Sequence, residues 1–313
     1  MDLKEKKARF EACFRPYESA LLTFHGVGDL DVYNCSIPFE MGGRRYLFGR
    51  VENRTEWAAS WAALFQNTGR DAWTRVPDSG IYPLEDPCVQ FFGDELVLCG
   101  THVRKEAGRI KNYCGVFYRG ASPDRLRRFA TGPDQMKDIR LVPLRDGRIG
   151  VFSRPCGQEI REKYGSGAVI GFAVIHRLDE LTEDLIAHAP VIDGLFGRDE
   201  WGGCNQCYLL RDGRVGVIGH QCYEDQASDG EKLAVYMNVA FVFDPDTREA
   251  TEPEIIATRS SYPDAASKRP GLVDCAFTSG IVRRPDGRVD LYSGIGDTHE
   301  GRVTIDNPFG DLL

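Results

Sequence analysis

The chain of 313 residues contains no apolar run approaching the roughly 20 residues that a membrane-spanning helix needs. Its opening stretch, Met1-Asp2-Leu3-Lys4-Glu5-Lys6-Lys7, is too charged for a signal peptide, so the expectation is a cytoplasmic protein without a membrane partner. A cationic excess is also missing. Lys and Arg total 39 against 47 Asp and Glu, the net charge is -8, and no block of five or six like charges occurs. That balance argues against nucleic acid as a partner, because polyanion binding depends on clustered cations. Cys204 and Cys207 form one C-x-x-C with no second pair and no nearby His pair, so no metal is expected. The ten cysteines are scattered, most inside apolar runs, and read as small hydrophobes. No glycine-rich nucleotide loop is present either.

Glycine, by contrast, is abundant, with 34 residues, and its placement points to an architecture. Five segments share one form: an apolar strand, a Gly-containing turn, a second apolar strand and a polar residue. They are VYNCSIPFEMGGRRYLFGRVE, LEDPCVQFFGDELVLCGTHV, MKDIRLVPLRDGRIGVFSRP, GGCNQCYLLRDGRVGVIGHQ and AFTSGIVRRPDGRVDLYSGIGD. Three turns are Asp-Gly-Arg, at Asp146, Asp212 and Asp286, where the turn needs a positive φ. Alternating runs at Tyr113–Tyr118, Val169–His176 and Val235–Phe243 supply further strands. About four strands per repeat is the content of one propeller blade. The expectation is therefore an all-β, five-bladed β-propeller spanning 1–313 as a single domain, with residues 1–22 an N-terminal helical extension. Helices are predicted at Glu5–Phe14 and, as one insertion capped by Thr55, at Glu56–Phe65, with Trp57, Trp61, Leu64 and Phe65 on its apolar face. Two stacked sandwiches are the alternative fold.

In a propeller the innermost strand of each blade lines a central channel, so residues just ahead of the turns should converge. These are Asn34, Asp86, Lys137 with Asp138, Asn205 and Asp274, while the second strands end at Arg50, His102, Arg154, His220 and Asp297. Glu85-Asp86-Pro87 is the sharpest local motif. In isolation it reads as a turn, but with Arg50, Lys137, Arg154 and His220 around it the set suits an anionic co-substrate such as phosphate. Asp86 would then protonate a leaving oxygen.

These motifs, with Arg50-Val51-Glu52, Lys137-Asp138, Arg154-Pro155 and Gly294-Ile295-Gly296-Asp297 in this order, resemble the inverting mannoside phosphorylases, the propellers of glycoside hydrolase family one hundred and thirty. The hairpins look closer still to the β-1,2-mannan mannosyltransferase/phosphorylases, long described as a domain of unknown function. The resemblance runs from about Asn34 to Asp297. It implies that Asp86 is the sole general acid, passing its proton to the glycosidic oxygen through a hydroxyl of the bound mannose. It implies phosphate held by Lys137, Arg154 and His220, with Arg104 a weaker candidate, and the mannosyl ring held by Asn34, Arg50, Asp138 and Asp297. Inorganic phosphate is then a co-substrate, no cofactor is required, and the partner is a small oligosaccharide. One departure is Cys88, where the family usually carries Arg after Glu-Asp-Pro.

No second carboxylate to activate water is needed when phosphate is the nucleophile. The expected reaction is reversible phosphorolysis of β-mannosides, with β-1,2-linked manno-oligosaccharides as substrates and α-mannose 1-phosphate as product. The alternatives are mannosyl transfer from GDP-mannose at the same site, hydrolysis on the same fold, and a noncatalytic carbohydrate-binding propeller. Glu85 reads as structural, Glu52 as a salt-bridge partner of Arg50 or Arg54, and His25, His176, His188 and His299 as structural or exposed. Gln158–Ser166 and Glu224–Glu231 read as outer loops, the latter polar enough for a mobile flap. The oligomeric state has no signature in the sequence.

Overall fold

The computed structural model describes residues 1–56, 58–227 and 230–313. Within them the hairpins predicted from the glycine turns form as antiparallel pairs. Arg44–Glu52 pairs with Asp31–Tyr33 and Phe39–Met41, Glu85–Phe92 with Glu95–Glu106, and Arg140–Pro143 with Ile149–Ser153. Trp201–Leu209 pairs with Val215–Gln226, and Ala276–Arg283 with Val289–Ile295. The turns work as their composition requires. Gly147, Gly213 and Gly287 take φ of 83°, 95° and 84°, and the preceding Asp accepts the backbone N–H of the following Arg.

Each hairpin recruits its neighbours, producing five separate sheets among the described residues. The predicted third strands appear as Arg109–Gly120, Gly171–Ile175 and Lys232–Phe243. Successive sheets pack through their inner strands: Arg44–Glu52 on Glu85–Phe92, that strand on Arg140–Pro143, and so on through Trp201–Leu209 to Ala276–Arg283. The ring closes where Asp31–Tyr33 of the first sheet meets Val289–Ile295 and His299–Ile305 of the last. A separate apolar cluster fills each of the five gaps, for example Phe152, Phe172, Phe243 and Val215 between the third and fourth sheets. Burial between sheets, repeated around the ring, gives a β-propeller.

The N-terminal segment is only partly helical. The helix is Leu3–Cys13, started by Asp2 accepting the N–H of Glu5, but Glu18–Leu21 then adds as the outer strand of the last sheet beside His299–Ile305. The predicted helix over Glu56–Phe65 is a strand, Trp61–Asn67, paired with Arg44–Glu52. Ala62, Ala63, Leu64 and Phe65 are all buried, so both faces of this strand are covered. A two-sided strand has no alternation, and its unbroken apolar run imitates a helix. Thr55 sits instead in a turn on the Asn53 side chain, and Trp57 lies outside the described residues. A helix, Gln158–Tyr164, occurs where an outer loop was expected, and a further short one, Glu183–Ala187, was not anticipated. The flap region is bounded by strands paired as far as Gln226 and Lys232, with Ser228 and Asp229 outside the described residues. Among the described residues no helix is long and apolar enough to cross a membrane.

Candidate active site

The inner strands enter the channel through irregular backbone. Asn34, Asp86, Asp138 and Asp297 all have positive φ, between 45° and 57°, a conformation that Asn and Asp tolerate better than most residues. At Asp86 the ladder also bulges: Cys88 opposes Cys99 and Glu85 opposes Thr101, so Asp86 and Pro87 face Gly100 alone. Similar bulges occur at Asn205 and at Ser279 in the fourth and fifth sheets. Of these three bulge residues, Asp86 reaches the central cavity, while Asn205 and Ser279 are buried and hydrogen-bond to His220 and Glu300.

Asp86 is the centre of the resulting network. Its Oδ1 accepts from Asn34 Nδ2 at 2.8 Å and from Arg50 Nη1 at 2.9 Å. Asn34 reaches this position because Gly294 has no side chain; a Cβ there would stand 1.7 Å from Asn34 Oδ1. Arg50 also donates to Glu85 at 3.0 Å and to Glu52 at 3.4 Å, and lies over the Tyr33 ring at 4.8 Å. Glu52 further takes Lys268 Nζ at 2.5 Å and the Tyr33 hydroxyl. The buried Arg50 and Lys268 are thus set among buried carboxylates, each offsetting the other's desolvation. Glu85, expected to be structural, pairs with Arg50 and also lines the cavity, and Arg54 pairs with Asp31 instead of Glu52. Burial raises the carboxyls of Glu85 and Asp297, with Asp86 adding to both and Arg50 opposing.

A cavity of about 330 Å³ opens over this network. Of the predicted residues, Asn34, Arg50, Asp86, Lys137 and Asp297 line it. Arg154, Asp138 and His220 lie behind the wall, buried to 6%, 2% and 1% exposure. Arg154 Nε donates to Gly202 O at 2.6 Å, and Asp138 stands 3.6 Å from both Arg140 and Arg154. Burial works to raise the Asp138 carboxyl, but Lys137, Arg154 and Arg140 outweigh it and hold it at about 2. Burial lowers His220 to about 3, so its ring is neutral at pH 7. Its Nδ1 lies 2.7 Å from the Asn205 side-chain amide, a hydrogen bond that fixes the ring. Arg104 is not brought to the cavity: it is exposed, on the side of its strand nearer Cys114 than the lining residues Thr101 and Val103. The alternation of a strand separates it from the site. Cys88 is buried outside the lining, its thiol donating to Gln206 Oε1 at 3.2 Å.

Several lining residues were not found from sequence. Tyr113, Tyr236 and Phe277 form an aromatic side of the cavity, and Arg269, from a short 3-10 turn before the last hairpin, brings a further cation. Glu300 is another. It is fully buried, takes the N–H of Cys35 and the hydroxyl of Ser279, and burial lifts its carboxyl to about 8. A Lys-Arg pair before Pro270 was the available signal for Arg269; Glu300, in the mixed run His299-Glu300-Gly301-Arg302, carried none. Among the described residues no group of three or more His, Cys, Asp or Glu side chains is arranged for a metal.

The fold recurs in solved structures. A mannose phosphorylase of Leishmania mexicana, MPT-4, in complex with phosphate ion, is 51% identical, with TM-score 0.93, covering 99% of this chain and 96% of that one. MPT-1, a GDP-Man-dependent mannosyltransferase from the same organism, is 42% identical, with TM-score 0.92, covering 100% and 97%. A β-1,2-mannobiose phosphorylase of Listeria innocua, at 13% identity and TM-score 0.63 over 94% and 92% of the two chains, shares the fold. No curated protein sequence matches. A family model described as Protein of unknown function (DUF1861) matches residues 8–311, and the chain belongs to that family.

Proposed function

We propose that the chain is an inverting, reversible β-mannoside phosphorylase. The carrying observation is that one cavity holds Asp86 together with the cations Lys137 and Arg269, in a chain 51% identical to a mannose phosphorylase that binds phosphate. The terminal mannosyl unit is held by Asn34, Arg50 and Asp297. Phosphate rests on Lys137, and Arg154 adds positive potential from behind the wall. Asp138 positions that cationic layer. Neutral His220 packs beneath that layer, its ring against Phe277 and Tyr236, and supports the aromatic side of the pocket.

A phosphate oxygen attacks the anomeric carbon as the glycosidic bond breaks. The proton of Asp86 moves, through a mannose hydroxyl, to the departing oxygen. The products are α-mannose 1-phosphate and an oligosaccharide shortened by one unit. Phosphate is already nucleophilic, so the site needs an acid and a positively charged holder, and no base to activate water. β-1,2-linked manno-oligosaccharides are the proposed substrates. Incubation of the enzyme with such an oligosaccharide, with and without phosphate, tests the reading. Mannose 1-phosphate should form only with phosphate, and free mannose released at the same rate in its absence would sink the proposal.

A second reading has its own support in the 42% identity to a GDP-Man-dependent mannosyltransferase. Transfer would use the same mannosyl pocket, with the diphosphate where phosphate is proposed to sit. Consumption of GDP-mannose in the presence of an acceptor oligosaccharide, compared with mannose 1-phosphate formation, decides between the two.

A further inference from the structure

A second cavity, of about 650 Å³, lies on the outer part of the fourth sheet at the end where the inner strands begin. Its walls come from distant parts of the chain: the start of the N-terminal helix, the helix Gln158–Tyr164, the stretch at Arg198–Trp201, and the facing ends of the long hairpin at Tyr223 and Lys232. A depression of this size with walls from several elements has the dimensions of a ligand site.

Its chemistry selects the class of ligand. Four basic and four acidic side chains line it, and they are largely matched within the protein. Lys4 pairs with Asp225 at 2.8 Å, Lys232 with Glu224 at 2.9 Å and Arg161 with Asp199 at 3.9 Å. A groove whose charges are already neutralised gives an anion little to gain. It still presents many donors and acceptors beside two half-buried aromatic rings, Trp201 and Tyr223. Polar groups in both senses together with aromatic faces suit a neutral polyol such as a sugar chain.

The groove also lies beside the first cavity. The Trp201 ring packs edge-on against Tyr236, with centroids 6.2 Å apart, and Tyr236 lines the Asp86 cavity. Along the shared strand Lys232–Phe243, the groove residue Lys232 and the cavity residue Tyr236 are four positions apart, roughly 13 Å. A short chain of sugars spans that distance.

We propose that this groove holds the distal, non-reacting units of a neutral oligosaccharide whose end unit occupies the Asp86 cavity. The proposal rests on the reading of that cavity as a β-mannoside site. Its test is calorimetric binding of β-1,2-linked mannobiose and mannotetraose to the full chain and to the variants Tyr223→Ala and Arg198→Ala. Arg198 is exposed, so its truncation is safe for folding. The tetraose should bind the unmodified protein about tenfold more tightly than the biose, and either variant should cut that gap to about threefold or less with biose affinity unchanged. Equal affinities for the two lengths in the unmodified protein, or a gap untouched by both variants, overturns the groove. Phosphorolysis of the biose without a length gap overturns the groove alone. Absence of biose binding and turnover overturns the cavity reading with it.

Discussion

The two ends of the propeller use the same residues, Asp and Arg, under opposite conditions. At the turn end, Asp146 with Arg148 and Asp212 with Arg214 form ion pairs within single hairpins, in water. At the other end, Asp86 pairs with Arg50 across neighbouring sheets and Asp138 with Arg154 at the open end of one hairpin, all with almost no exposure. In water such a pair is worth little, because solvent screens it and two flexible side chains must be held. In the interior each charge depends on its partner, since removing one strands the other in a medium that cannot solvate it. The turn end therefore uses its charges to shape hairpins, whereas the channel end stores charge that a substrate can meet.

That contrast can be broken in graded steps. The largest effect is expected from Asp86→Asn, which keeps shape but removes the transferable proton. Phosphate-dependent turnover should fall by roughly 10² to 10⁴ with sugar binding retained, as read by steady-state kinetics beside calorimetry. If turnover persists, Asp86 is not the acid. Next, Arg50→Met leaves Glu52, Glu85 and Asp86 without their shared cation. A loss of about 3–5 kcal/mol in urea unfolding is expected, and a loss under 1 kcal/mol would show that this network is wetter than the geometry indicates.

Glu300 sharpens the comparison through pH. Its carboxyl, at 4.5 in ordinary surroundings, is lifted to about 8, so between these values the folded state keeps a proton that the unfolded state releases. Stability contributed by this group must fall as pH rises through that window, by up to about 1.4 kcal/mol per pH unit, and level off above 8. His220 acts in the opposite sense and lower down: held at about 3, it is destabilising as pH falls below 6.5. Glu300→Gln imitates the protonated acid, so unfolding midpoints of this variant between pH 5 and 8 should lack the decline seen in the unmodified protein. Parallel profiles would refute the buried proton. The smallest effect belongs to the turn end. Arg214→Ala should change stability by about 1 kcal/mol or less and leave turnover unaltered.

The hairpins were legible because their causes are local. Asp-Gly-Arg at Asp146, Asp212 and Asp286 carries its own turn geometry, and the flanking apolar runs announce strands on either side. Asn34, Arg50, Asp86, Lys137 and Asp297 were readable as a set because they stand at corresponding places in successive repeats, and the ring brings them to one cavity. Arg104 shows where that reasoning ends. It shares a strand with Thr101 and Val103, yet the bulge opposite Asp86 and the alternation of side chains decide which of them faces the channel. Trp61–Asn67 failed for a related reason, since covering both faces of a strand erases the period that would reveal it.

By itself the amino-acid sequence determined the repeated hairpin, the acidic balance of the surface and the identity of the polar groups at the strand starts, all of which depend on neighbours close along the chain. The tertiary structure alone decided which of those groups line the cavity and which stand behind it. It set Lys137 in the wall with Arg154 and His220 beneath, brought Arg269 and Tyr236 in from elsewhere, and raised Glu300 while lowering Asp138. The reason is physical. A carboxyl or a guanidinium carries the same label in every sequence, but its charge, exposure and reach are set by the groups that folding places around it.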